Sequence, residues 1–119
     1  MNCLEAIAME RRKQLRKSIH CQVYFICVSA DGRETVQDIG VARDISRGGM
    51  MLETATPINT TEIKILASTS DNQQMEVIGG VIYSMEIAEG KYSTGIFFQT
   101  DPEEAAKFVE QLMLVCDAR

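Results

Sequence analysis

The chain lacks most of the residues on which common enzymes depend. Its 119 residues include a single histidine, His20, and no tryptophan. No HExxH, GxSxG or Walker-type motif occurs in the sequence. With one histidine, both histidine-dependent catalysis and metal sites built from several histidines are disfavoured. We therefore expect a protein that is not an enzyme and that holds neither a metal nor a cofactor.

Long hydrophobic runs are also missing, and none approaches the roughly 20 residues that a helix needs to cross a bilayer. The N-terminal stretch MNCLEAIAMERRK is short, interrupted and acidic, unlike a secretory signal. The four cysteines have no regular spacing and form no CxxC pair. These absences predict a protein that does not insert into membranes and whose cysteines are buried thiols in a reducing cytoplasm.

Composition indicates one folded domain. The chain has the mass of a single domain, 13.3 kDa, and its 45% hydrophobic residues are enough to bury one core. There is no repeat, linker or low-complexity segment. We divide it into an N-terminal helical extension, residues 1–10, and one domain, residues 11–119.

Charge is concentrated near the N-terminus, although the whole chain carries −5. Residues 10–17, ERRKQLRK, hold five bases and one acid, which makes this basic segment +4 and the remaining 111 residues −9. A compact cationic patch on an acidic protein favours a small polyanion over a long nucleic acid. The plainer interpretation is a solvated helix face.

Six runs rich in β-branched and aromatic residues, spaced by turn residues, predict six short strands. Asp31-Gly32 and Glu89-Gly90 are predicted turns, and Gly79-Gly80 suggests a bulge or barrel corner. The architecture is therefore mainly β, a small antiparallel barrel or sandwich with a helix at each end. The predicted strands are 18–29, 35–46, 49–55, 61–69, 75–87 and 91–100, and the first helix is 2–14.

The C-terminal helix has a clear start, because Asp101 can cap it and Pro102 suits its first position. Its apolar residues predict one buried face, formed by Phe108, Leu112, Val115 and Cys116. Five methionines in apolar runs are interpreted as core residues: Met50, Met51, Met75, Met85 and Met113.

Two arginines in the basic segment, Arg12 and Arg16, are four residues apart and are preceded by Arg11. Arginines at this spacing point the same way on a helix and in a short extended segment. Two guanidinium groups together can bind phosphates, the edge of guanine or the face of a purine.

A second motif, Asp44-Ile-Ser46-Arg-Gly48-Gly49, lies between two predicted strands. A carboxylate such as Asp44 can accept hydrogen bonds from the two parallel donors of a guanine, and a serine hydroxyl can donate to a phosphate. The glycines admit a flat base near the backbone and permit positive φ. The alternative interpretation is purely structural, because the same residues suit a serine turn that ends in a glycine bulge.

In this order and spacing, RxxxR followed by DxSxxG resembles the PilZ domain family. The resemblance extends over roughly residues 10–116, including the strand YSTGIFF and the terminal helix. It implies a six-stranded antiparallel β-barrel that binds cyclic di-GMP. Arg12 and Arg16 would lie on a mobile N-terminal arm and close over the ligand, Asp44 and Ser46 would contact guanine, and Gly48 and Gly49 would give it clearance.

With no second domain in the sequence, we expect a stand-alone receptor, a monomer or homodimer, that changes its arm and surface to regulate an unidentified protein effector. Motility, attachment and polysaccharide secretion are the expected systems. An arginine at the position of Arg11 is associated in the family with an intercalated cyclic di-GMP dimer, so two ligands per protein are expected.

Two alternatives remain open at the level of sequence. The first is a PilZ-like protein-interaction module that acts without nucleotide. The second is a small barrel that binds RNA or DNA through the basic segment. It requires exposed aromatic residues, whereas Tyr24, Phe25, Phe97 and Phe98 lie in apolar strand runs, and the acidic remainder of the chain opposes it. No nucleic-acid partner is therefore expected.

Overall fold

The computed structural model describes residues 17–69 and 71–116 of the chain. The predicted N-terminal helix and the arginines of the basic segment lie outside the described residues. Six strands are followed by one helix. Their bounds are β1 Lys17–Val28, β2 Glu34–Ser46, β3 Gly49–Thr54, β4 Glu62–Ser68, β5 Gln74–Ala88, β6 Lys91–Phe98 and α1 Pro102–Cys116.

The strands close into an antiparallel barrel in the order β1-β2-β3-β6-β5-β4, with β4 paired back to β1. Alternation decides which side chains enter the core, because successive residues of a strand face opposite sides. In β1, for example, Val23, Phe25 and Cys27 are buried while Tyr24 is exposed. The predicted mainly-β fold and its six strands are confirmed.

Turn glycines behave as the sequence predicts at two places. Gly32 and Gly90 adopt φ of 84° and 70° in the β1–β2 and β5–β6 turns, a region that a side chain disfavours. Gly79 and Gly80 do not themselves form the bulge, which lies between Val81 and Tyr83. Instead, they make room for side chains of β6: a Cβ on Gly80 would lie 2.3 Å from the ring of Phe97.

Helix α1 closes one end of the barrel and packs against β1 and β5. Asp101 caps it, since its Oδ2 accepts a hydrogen bond from the Glu103 amide at 3.2 Å. The helix buries Phe108 and Leu112 as predicted. Val115, in contrast, is exposed, because the buried face of the helix runs through Ala105, Phe108, Val109, Leu112 and Cys116.

Two predictions about the core are wrong. Met85 is exposed, because its stretch of β5 lies beyond the part of that strand that pairs with β4. Cys21 and Cys116 form a disulfide, so they are not thiols. They are 95 residues apart in sequence and meet only because the end of α1 lies over β1. Cys27 is a buried free thiol, and burial raises its pKa.

In the part of the chain that the structure describes, no helix has the length and hydrophobicity to cross a membrane. Over the same residues, no three histidine, cysteine, aspartate or glutamate side chains are grouped so that they could hold a metal ion.

Candidate functional site

The DxSxxG motif forms the turn between β2 and β3. Ser46 pairs with Gly49 across this turn, and Arg47 and Gly48 project from its tip. The Ser46 Oγ accepts a hydrogen bond from the Gly48 amide at 3.2 Å and donates one to the Gly49 carbonyl at 3.4 Å. The serine hydroxyl therefore holds the turn together, as serine does in many tight turns.

A bulge places Asp44 on the outer surface of the barrel. Ala42 and Ile45 both face the core, with two residues rather than one between them. The register against β3 shifts at this point, since Ala42 pairs with Leu52 and Asp44 with Met51. Asp44 and Ser46 consequently point outwards on the same side.

Asp44 is half-buried, and its carboxylate forms no hydrogen bond or ion pair with any other described residue. Its neighbour Arg43 is already engaged with Glu53, at 3.5 Å. A carboxylate that has lost part of its hydration gains from any donor that reaches it. Asp44 is thus available to a ligand with paired N–H donors.

Gly49 is required by the fold itself. A Cβ at this position would lie 2.1 Å from the carbonyl oxygen of Ile96 on β6, which is far too close. A Cβ on Gly48 would have open space instead, with the Ser46 Oγ, 4.0 Å away, as its nearest neighbour. Neither residue adopts the positive φ expected from the sequence. The space beside Gly49 is therefore filled by β6, whereas the space beside Gly48 is open to solvent.

Two aromatic rings that the sequence analysis did not assign to the site share this outer surface. Tyr83 lies across Gly95, because a Cβ there would meet its ring at 2.8 Å, and Phe97 lies across Gly80 in the same way. Strand pairing aligns the two rings with the motif. One row across the strands is Ser18, Asp44, Met51, Gly95 and Tyr83, and the next is Ser46, Gly49, Phe97 and Gly80.

These exposed rings correct one argument from the sequence. Phe97 is 45% exposed and Tyr24 61% exposed, although both were placed in apolar strand runs. Phe97 follows the regular alternation of β6, in which Thr94 and Ile96 face the core, so its place in an apolar run does not bury it. A glycine directly opposite an aromatic residue is the sequence signal that could have indicated it.

The predicted ligand arginines, Arg11, Arg12 and Arg16, lie outside the described residues. The first described residue, Lys17, pairs with Ile45, and Ser18 pairs with Asp44. The chain therefore enters β1 beside the DxSxxG turn. The structure brings together Asp44, Ser46, Gly48 and Gly49, and it adds the exposed Lys17 as the nearest cation of the basic segment.

The PilZ domain family matches residues 10–114. The chain belongs to the PilZ domain family. PilZ domains are a family of cyclic di-GMP receptors and are generally ligand-binding or adaptor modules.

Solved structures of PilZ proteins share this fold. The PilZ domain of CeSA from a cellulose-synthesising bacterium superposes with a TM-score of 0.56 at 14% identity, over 84% of this chain and 96% of that one. MrkH of K. pneumonia, in its apo state, gives 0.52 at 18% identity, and the alignment covers 86% of this chain but only 51% of MrkH. No curated protein matches the sequence.

Proposed function

We propose that this PilZ domain is a cyclic di-GMP receptor whose binding surface is the outer face of the barrel around the β2–β3 turn. The observation that carries the proposal is the Asp44 carboxylate, half-buried and without a partner among the described residues. Guanine presents two parallel N–H donors, which is what a carboxylate in this setting accepts best. Membership of the family supplies the ligand class.

We assign proposed roles to the other motif residues from their positions relative to Asp44. Arg12 and Arg16 precede β1 and would reach the phosphates, together with Lys17, from the strand next to Asp44. Ser46 keeps the turn in shape, and its long bond to the Gly49 carbonyl is the one it would give up to a ligand. Gly48 leaves open space for a flat base. Arg11 would support a second ligand molecule.

Output would pass to a protein effector, with the arm and the β2–β3 surface changing when the ligand binds. Motility, attachment or polysaccharide secretion remain the proposed systems. We propose a cytoplasmic location, where an intracellular messenger is available and where the Cys21–Cys116 disulfide would meet cellular reductants.

Calorimetric titration tests the binding site. We expect cyclic di-GMP to bind with micromolar or tighter affinity, and GTP and cyclic AMP to give no heat. Both Arg12→Ala/Arg16→Ala and Asp44→Asn should abolish binding while leaving the thermal unfolding temperature almost unchanged. A stoichiometry near two would support the role of Arg11.

Asp38→Asn is the matched control, because Asp38 is an exposed carboxylate on the same strand that bonds only its neighbouring Ile39 amide. It removes the same charge at the far end of β2, so it should bind like the wild type. Unchanged affinity in Asp44→Asn would reject the site assignment. Weakening in both aspartate variants would mean that net charge, not Asp44, controls binding.

One observation favours the second candidate, a protein-interaction module without nucleotide. Ile82, Met85 and Ile87 are exposed along the part of β5 that does not pair with β4. Exposed apolar side chains grouped on one strand are a common feature of protein-binding surfaces. Absence of both heat and thermal shift with cyclic di-GMP would select this candidate.

A further inference from the structure

A groove of about 700 Å³ lies between α1 and the turn that joins β4 to β5. Three carboxylates line it, on Asp71, Glu76 and Glu104, against a single cation, Lys107. Lys107 is 3.8 Å from Glu104, so it offsets one of the three. The groove therefore carries excess negative charge and favours a basic occupant.

Three apolar residues also line the groove. Phe108 is buried, Met75 is partly buried against the core, and Leu114 is 57% exposed on the helix. A groove lined by both apolar and acidic side chains fits a segment that has both hydrophobic and basic side chains. The apolar lining alone would not favour a basic segment, and the acidic lining alone would not favour a hydrophobic one.

The groove lies at the same end of the barrel as the start of β1. Tyr24 pairs with Leu66, so the first residues of β1 extend past the end of β4, towards the β4–β5 turn. In the closed barrel β4 is the neighbour of β1 and β5 the next strand. At roughly 4.8 Å per strand, the groove begins within about 10 Å of β1.

The chain itself supplies a segment with the required chemistry, residues 1–16, which we call the N-terminal segment. It contains the apolar residues Leu4, Ile7 and Ala8, and its four bases outweigh Glu5 and Glu10, which gives +2. Sixteen residues span about 24 Å even as a helix, more than the distance to the groove.

We propose that the N-terminal segment docks in this groove when no ligand is bound. β1 separates the groove from Asp44, since β4 lies on one side of β1 and β2 on the other. Arg12 and Arg16 lie within five residues of Lys17, so while they are docked on the β4 side of β1 they do not reach the β2–β3 turn on its other side. Docking would be autoinhibitory and would lower the apparent affinity for ligand in proportion to the docked fraction. That last consequence rests on the proposed function.

The docking itself is tested without ligand. A nitroxide attached to Cys3 should broaden the NMR signals of the backbone amides of Gln73 and Gln111, on the two walls of the groove. The other cysteines do not interfere, because Cys27 is buried and Cys21 is bonded to Cys116. Glu76→Gln/Glu104→Gln should abolish the broadening.

The matched control is Glu86→Gln/Glu89→Gln, which removes two carboxylates from the β5–β6 hairpin at the opposite end of the barrel and should keep the broadening. A wild type without broadening at Gln73 and Gln111 would overturn the proposal. So would broadening of unlabelled molecules mixed with labelled ones, because the occupant would then be a second copy.

Titration supplies the second measurement. If the segment is docked about nine-tenths of the time, Glu76→Gln/Glu104→Gln should bind cyclic di-GMP about tenfold more tightly than the wild type. Glu86→Gln/Glu89→Gln should not. Equal affinity in both variants would reject autoinhibition. If no variant binds cyclic di-GMP, the proposed function fails, whereas the broadening still decides whether the segment docks.

Discussion

Two residues of the DxSxxG motif, Gly49 and Asp44, differ in how they relate to the rest of the barrel. Gly49 lies directly against β6, and a Cβ at this position would overlap the carbonyl oxygen of Ile96. Asp44 lies at the opposite end of the motif, and its carboxylate forms no hydrogen bond or ion pair with another described residue. The turn glycine is therefore required by the fold, whereas Asp44 is the residue that we propose for the ligand.

This difference predicts a contrast in stability. Gly49→Ala should lower the free energy of unfolding by about 1–3 kcal/mol, because backbone atoms of β6 must move away from the new methyl group. Gly48→Ala should change it by no more than about 0.5 kcal/mol, since the space beside Gly48 is open. Urea unfolding followed by circular dichroism measures both, and equal values would contradict this role for Gly49.

At the level of elements, the disulfide joins the two ends of the described chain. It connects Cys21, near the start of β1, to Cys116, the last residue of α1. The helix is otherwise retained by its buried face, which includes Phe108 stacked edge-on against Phe98 at 6.4 Å between ring centroids. The bond thus ties the C-terminal helix to the strand from which the basic segment extends.

We expect reduction to destabilise the protein markedly. The bond closes a loop of 95 residues, and loss of such a cross-link costs about 2–5 kcal/mol, mainly because the unfolded chain gains freedom. Unfolding midpoints in urea with and without a phosphine reductant give the difference. Cys116→Ser should be less stable in both conditions and insensitive to reductant. A wild type that is equally insensitive would show that the thiols are unpaired.

The elements were predictable to the extent that local chemistry decides them. The strand composition of β1, the glycines at 32 and 90 and the cap at Asp101 each act within a few residues, and each prediction is confirmed. The disulfide and the outward position of Asp44 were not predictable in the same way. The disulfide depends on closure of the barrel and Asp44 on a bulge, and no short window of sequence reveals either.

Considered as a whole molecule, the chain separates charge sharply. The basic segment carries +4 against −9 for all other residues. The predicted ligand residues also fall into two groups. Asp44, Ser46 and the two glycines lie together at the β2–β3 turn, whereas the arginines belong to the basic segment and lie outside the described residues. Their meeting with Asp44 remains a prediction from the family and from the pairing of Lys17 with Ile45.

Such a distribution predicts how binding responds to salt. Affinity for cyclic di-GMP should fall several-fold between low and physiological ionic strength, because screening weakens attraction between the basic segment and the phosphates. Excess tRNA should not displace the ligand, since the acidic remainder repels a long polyanion. Titration over a salt series, with and without tRNA, measures both. Displacement by tRNA would favour the nucleic-acid alternative, for which Tyr24 and Phe97 are suitably exposed.

The close approach of Ile96 to Gly49 also bears on how a DxSxxG signature in another sequence is interpreted. Gly49 is needed to close the barrel whether or not a ligand binds. If Asp44 binds cyclic di-GMP as we propose, a descendant that no longer used this messenger could lose the carboxylate and would still keep the glycine. On that proposal, the aspartate of the signature is informative about signalling, whereas the glycine indicates only that the barrel can close.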